Sequence, residues 1–248
     1  MLFVSYPKSG RTWVRFLVDH YLADLHGIPV SNVFQVERLV DPRWRIEWTH
    51  LTAQMTYLLS FDQVRDFDFS QVEGRSCVFL IREPLPTLAS AYYQARHRLQ
   101  IFSGTPSEFV RSPLFGVRKL VAFYEMMVEL KDRFGSVTGV TYEDFQEDAA
   151  AGLRVVLEAL GAEIDEDRVK RAVEEGRFEN LRRLARTPEY ENTLLSPSDP
   201  NNPDSDKVRR GDANAWRELF GADDVRYMMD VAAKSKRQAI LRQRGFTF

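Results

Sequence analysis

A chain of 248 residues, 44% hydrophobic and 28% charged, can bury a substantial core and is neither disordered nor fibrous. Thirty-four Lys and Arg against 36 Asp and Glu leave a formal charge of −2, which excludes a global basic field for nucleic acid or for an anionic membrane; any anion must be gripped locally. No apolar run approaches the roughly 20 residues that cross a bilayer, and the lone Cys77 excludes an internal disulfide framework or a thiolate metal cluster.

The amino terminus opens on Leu-Phe-Val-Ser-Tyr without the pattern of a secretory leader, so a cytoplasmic location is expected. Leu2 to Tyr6 is a short apolar run ended by Pro7 and Gly10, a buried strand entering a loop. From Thr12 the period changes: Val14, Leu17, Val18, Tyr21, Leu22 and Leu25 form the apolar stripe of a helix that Gly27 closes. After an irregular stretch, Trp44 to Thr49 alternates and predicts a second strand ending near His50. Ser76 to Arg82 is an almost unbroken apolar run whose two covered faces argue for a parallel sheet.

Pro84 suits the first turn of a helix continuing to about Arg98, Thr105-Pro106-Ser107-Glu108 fits a capping box, and Ser112-Pro113 starts a long helix that stops before Gly135. Val137 to Tyr142 predicts the fourth strand. Helices broken at Gly161 and Gly176 follow, and then a polar connection, Thr187 to Asp206, which reads as a mobile lid or link. Strands alternating with helices imply one α/β domain over residues 1–248, a central parallel sheet flanked by helices.

Lys8-Ser9-Gly10-Arg11-Thr12-Trp13 lies between the first strand and the first helix. Backbone amides at a helix start bind phosphate, Lys8 adds a point charge, and Ser9 and Thr12 add hydroxyl donors. The ordinary nucleotide loop places Lys after its second Gly, whereas here Lys8 precedes the only Gly. Alone, the loop reads equally as a Pro/Gly turn capped by Ser or Thr. The third strand ends in Arg82, where a magnesium-dependent nucleotide hydrolase keeps an Asp. A cation there suits a second phosphate, with Ser90 able to donate to it; a surface Arg and a mid-helix Ser is the plainer alternative. Of the four histidines, His20, His26 and His97 have structural explanations, whereas His50 follows a parallel strand and emerges at the edge where ligands bind.

Together these features resemble the cytosolic-type sulfotransferases. The first loop is similar to their 5′-phosphosulfate motif, and Arg82 with Ser90 has the spacing of their 3′-phosphate site. Arg209-Arg210-Gly211 with Trp216 and Phe220 is similar to the family's carboxyl-terminal block, though with Arg for its Lys and Asn214-Ala215 for its Gly-Asp. Tyr142-Glu143-Asp144 and the Phe178-Glu-Asn-Leu segment also match, so the resemblance runs from Leu2 to about Phe220.

It implies 3′-phosphoadenosine 5′-phosphosulfate as co-substrate and no required metal, with a P-loop-like cradle. Residues 8–13 would hold the 5′ end, and Arg82, Ser90, Arg209, Arg210 and Gly211 the 3′-phosphate. Trp13 and Phe178 would stack on adenine, and Tyr142 would bond its edge. Lys8 would stabilise the leaving phosphate oxygen, and His50 would act as general base on the hydroxyl or amine of a small-molecule acceptor.

One departure stands out: the family often has Lys two residues before this His, and here Trp48 takes its place. Either another cation assists Lys8 or transfer is slower, and Trp48 is a candidate instead for an aromatic acceptor pocket; with Phe34, Trp44, Tyr93 and Phe102 it hints at an apolar or aromatic acceptor, ordinary core packing being the alternative for most of them. Neither nucleic acid nor membrane is an expected partner, and a homodimer stays open. The competing readings are a small-molecule kinase, which predicts magnesium-dependent ATP binding, and a non-catalytic sensor of the adenosine bisphosphate.

Overall fold

The computed structural model describes residues 1–191, 193–199, 201–206 and 214–234. In chain order its strands and helices are β1 (Leu2–Ser5), α1 (Arg11–Leu25), α2 (Val36–Leu39), β2 (Glu47–Thr49), β3 (Ser76–Ile81), α3 (Pro84–Tyr93), α4 (Pro106–Arg111), α5 (Val117–Glu129), β4 (Ser136–Thr141), α6 (Tyr142–Glu147), α7 (Ala149–Leu160), α8 (Glu166–Glu175), α9 (Phe178–Leu184), α10 (Trp216–Leu219) and α11 (Ala222–Ala233). The four strands make one all-parallel sheet in the order β2-β1-β3-β4.

Alternation along the strands supplies both faces of that sheet. Leu2, Val4, Cys77, Phe79 and Ile81 pack on one side with Leu88 of α3 and Leu120 and Phe123 of α5. Phe3, Val78, Leu80 and Val140 pack on the other with the stripe of α1, Val14, Leu17, Val18, Tyr21 and Leu22, and with Leu153 and Leu157 of α7. A strand buried on both faces must be apolar at every position, which is why β1 and β3 read as unbroken runs. Because all four strands are parallel, the residues that follow them, Tyr6, His50, Arg82 and Tyr142, leave the sheet at the same edge.

Three elements differ from the sequence reading. The alternation from Trp44 yields a strand only from Glu47, because Pro42–Trp44 turns as a 3-10 segment capped by the Asp41 carboxylate. The helix expected from Ser112-Pro113 starts at Val117 instead. Ser112 is held in a turn, its carbonyl accepting Gly116 N–H at 2.9 Å and its hydroxyl accepting Leu114 N–H at 3.2 Å. A Cβ on Gly116 would stand 2.3 Å from the Val110 carbonyl oxygen, so the chain needs glycine at that crossing. The helix that begins at Pro84 loses its α-period after Tyr93 and reaches Arg98 through a π-helical turn, Gln94–Arg98.

The capping box at Thr105 and Glu108 forms as read, with both reciprocal bonds made. The described part of residues 187–206 holds no strand and no α-helix, but it is packed: Tyr190, Leu195 and Ser205 are buried. Arg98 reaches across to donate to the carbonyls of Ser196 at 3.0 Å and Ser205 at 2.8 Å, and Arg186 pairs with Asp206 at 2.9 Å.

Candidate functional site

The strand ends converge on a cavity of about 380 Å³ whose wall includes Lys8, Gly10, Arg11, Thr12, Trp13, His50, Arg82, Ser90, Tyr142 and Phe178. Its floor is the turn between β1 and α1. Gly10 takes φ +96°, and an added Cβ would stand 2.3 Å from Cδ2 of Tyr142, so the loop closes onto that ring only with glycine. Its carbonyl accepts Trp13 N–H at 2.9 Å and Val14 N–H at 3.2 Å, which leaves the amides of Arg11 and Thr12 ahead of the helix ladder at the positive end of the α1 dipole. Ser9 is wholly buried under the loop, and its hydroxyl has no partner among the described residues. Burial and the neighbouring Arg15 bring the Arg11 guanidinium down to about 10, so it stays cationic at neutral pH.

Lys8 itself lies at φ +71°, a left-handed backbone that costs a non-glycine residue on the order of 1 kcal/mol. The Arg82 guanidinium holds it there, Nη1 donating to the Lys8 carbonyl at 3.0 Å. The same guanidinium lies 4.1 Å over the centre of the Tyr142 ring, and its buried Nε has no partner among the described residues. Arg82 and the Ser9–Thr12 turn therefore share one rim. Tyr142 is fixed from below by α6, whose capping box joins Thr141 and Asp144. Burial raises its phenol above the usual range, keeping it a neutral donor.

Trp13 donates Nε1–H to the Gly176 carbonyl at 2.9 Å and packs edge-on to Tyr142 and Phe145, so part of its ring is structural while the rest faces the cavity. Phe178, the first residue of α9, lines the same wall. Arg209, Arg210 and Gly211 lie outside the described residues; Trp216 of the same block borders the cavity and Phe220 is buried.

On the opposite wall His50 follows β2, beside the end of β1. Its Nδ1 is 2.7 Å from the Ser5 carbonyl and 3.4 Å from Ser5 Oγ. A carbonyl only accepts, so Nδ1 carries the proton and the lone pair of the neutral ring sits on Nε2.

Trp48 is not part of this wall. The β1–β2 register sets it opposite Phe3, the rings 4.5 Å apart, and its outer edge borders a shallow groove with Arg15 and Glu37. None of Phe34, Trp44, Tyr93 or Phe102 lines the cavity either; Phe102 packs against Phe109 and Phe115, and Phe34 against Phe16 and Tyr190. The apolar lining includes Met55, Pro86, Ala89, Leu99 and Leu195 instead. Sequence reasoning also missed Gln54, Gln94 and Gln146. Only Gln94 carried a usable signal, standing one helical turn after Ser90.

A family model described as Sulfotransferase domain matches residues 1–239. Sulfotransferase 2B1 of Rattus norvegicus is 21% identical over 236 residues, covering 88% of this chain and 65% of the rat protein, so the chain spans about two thirds of that relative's length. Sulfotransferase 1C2 of Homo sapiens is 21% identical over 243 residues, covering 89% of this chain and 77% of the human protein. Among solved structures, mouse sulfotransferase SULT7A1 complexed with PAP superposes with a TM-score of 0.65 at 16% identity, covering 97% of this chain and 84% of that one. Retinol dehydratase in a complex with retinol and PAP does so at 0.64 and 16%, covering 95% and 80%. At these identities the superpositions establish the fold.

Proposed function

We propose a specific activity from one premise: the chain belongs to the sulfotransferase domain family. The activity is transfer of a sulfuryl group from 3′-phosphoadenosine 5′-phosphosulfate to a hydroxyl or amine of a small-molecule acceptor. One observation carries this reading. The Arg82 guanidinium stands 3.0 Å from the carbonyl of Lys8, so two anion grips share one cavity rim, and each contains a buried polar atom without a partner among the described residues, Ser9 Oγ and Arg82 Nε. Buried polar groups are ordinarily bonded, and an anion at each end of a doubly phosphorylated adenosine satisfies both. PAP in the structures of similar fold supports the same choice.

The bound co-substrate supplies the sulfuryl group; its sulfur–oxygen bond to the 5′-phosphate breaks as the bond to the acceptor oxygen or nitrogen forms. The residues of this chain do the rest. His50, its tautomer set by the Ser5 carbonyl, takes the acceptor proton on Nε2. Lys8 and the amides of Arg11 and Thr12 neutralise the charge that gathers on the phosphate oxygen as it leaves with the electron pair. Arg82 and Ser90 hold the 3′-phosphate, with Arg209, Arg210 and Gly211 completing that grip. Trp13 and Phe178 sandwich the adenine, and Tyr142 bonds its edge. Met55, Leu99 and Leu195 make an apolar approach to His50 for the acceptor.

Calorimetry in the absence of magnesium tests the nucleotide: adenosine 3′,5′-bisphosphate binds much more tightly than ATP, and equal affinities would remove the reading. His50→Ala abolishes transfer from the labelled co-substrate to phenol and alcohol acceptors while leaving bisphosphate affinity nearly intact.

A further inference from the structure

We infer that Gln94 is a positioning residue for Lys8, keeping its ammonium on the acceptor side of the cavity until the phosphate oxygen takes it over; this rests on the sulfuryl-transfer reading above. The contact is direct: Lys8 Nζ donates to Gln94 Oε1 at 3.3 Å. Both residues line the cavity. The Lys8 backbone cannot drift, since its carbonyl is tied to Arg82 and its φ of +71° leaves little room for adjustment. The ammonium is therefore placed by its own side chain and by what that side chain meets.

The position of Gln94 is itself constrained. It opens the π-helical turn, its carbonyl accepting Leu99 N–H at 2.9 Å across five residues. Such wide turns redirect side chains and recur at functional sites. Here the turn begins at the Lys8 contact and ends at Arg98, which is fastened to the carbonyls of Ser196 and Ser205. Leu99, immediately after it, and Leu195, beside the first of those carbonyls, both line the cavity. The segment that holds the ammonium is thus continuous with the wall that receives the acceptor.

Chemistry explains an amide at this position. A carboxylate there would bind the ammonium as an ion pair and offset the charge the leaving oxygen needs. An apolar side chain would remove that hydrogen bond. The amide oxygen orients the cation without neutralising it, and at 3.3 Å the bond is long enough to yield to a nascent oxyanion.

The test uses Gln94→Leu and Gln94→Glu in the full chain, with three measurements on each: adenosine 3′,5′-bisphosphate affinity, the single-turnover transfer rate, and the acylation rate of Lys8 by an amine-reactive ester, read by peptide mass with Lys131 as internal reference. Gln94→Leu is expected to slow transfer about tenfold to thirtyfold, the loss of one hydrogen bond to a charged group at the weaker end of its range, with bisphosphate affinity changed by less than about twofold. Acylation of Lys8 should rise in Gln94→Leu and fall in Gln94→Glu, and Gln94→Glu should transfer more slowly still. In a Lys8→Met background, Gln94→Leu should cost nothing further. Unchanged acylation of Lys8 in both variants overturns the inference, as does an equal rate loss from Gln94→Leu with and without Lys8, or a rate loss matched by lost affinity. Full transfer activity in Lys8→Met alone would instead sink the role given to Lys8, whatever Gln94 does.

Discussion

Replacing Gly10 by Ala tests the claim that both anion grips depend on one close approach. The new Cβ would stand 2.3 Å from Cδ2 and 2.6 Å from Cε2 of Tyr142, contacts no real methyl group sustains. At φ +96° an L-residue adds backbone strain, about 1 kcal/mol, and displacing a packed ring adds about 2 kcal/mol, so a stability loss of about 3 kcal/mol is expected in urea denaturation. The effect on binding is the more informative one. Tyr142 cannot move without disturbing the guanidinium 4.1 Å above it, which in turn holds the Lys8 carbonyl. Loosening one charge-assisted contact at each end of the nucleotide costs about 3 kcal/mol, on the order of a hundredfold in affinity. Calorimetry with adenosine 3′,5′-bisphosphate at a temperature where the variant is folded measures it. Adding Tyr142→Ala relieves the steric part of the instability and does not restore affinity. A Gly10→Ala protein that binds the bisphosphate as the wild type does would refute the coupling between loop and ring.

The other expectations are narrower. Arg82→Ala removes the donor to the Lys8 carbonyl and the charge facing the 3′ end, so bisphosphate affinity should fall by about 2 kcal/mol, roughly thirtyfold, and less so for adenosine 5′-phosphosulfate, which lacks the 3′-phosphate; equal losses for the two nucleotides would contradict the assignment. Lys119, buried on α5, is brought down to about 8 by desolvation. The folded chain therefore binds fewer protons than the unfolded chain between about pH 8 and the ordinary lysine range, so this group adds stability as pH rises through that window and loses it as pH falls towards 8. Lys119→Met, free of that charge, should be more stable than the wild type by about 2 kcal/mol at pH 7, with the gap closing by about pH 10.5. Urea midpoints at pH 7 and pH 10 give the comparison, and a gap that does not change with pH would argue against a desolvated ammonium.

Much of the sheet was legible because burial on both faces leaves β1 and β3 no polar position, and Pro7, Gly74 and Pro84 punctuate the runs. The short β2 was overread, since alternation from Trp44 to Thr49 is satisfied just as well by a Pro42–Trp44 turn followed by three strand residues. The late start of α5 depended on Gly116 crossing the Val110 carbonyl, a contact between segments that no local pattern encodes. At the site, Lys8, Gly10, Arg82 and His50 were readable because each follows or borders a strand end of recognisable type, and parallel strands deliver their ends to one edge. The apolar wall of the cavity was not. Trp48 looked like pocket lining by its chemistry, but the Phe3 register turned it onto the sheet face, while Met55, Leu99 and Leu195 reach the cavity from irregular segments. Gln94 was half legible: its place one helical turn after Ser90 could be read, but its contact with Lys8 joins two distant segments and leaves no local pattern.

The anchoring of residues 196 and 205 by Arg98 has an evolutionary corollary. Its guanidinium grips carbonyl oxygens, groups that every amino acid possesses, so the fastening is blind to which side chains the segment bears. Positions such as Leu195 can thus be exchanged to reshape what the cavity admits while the tether stays intact.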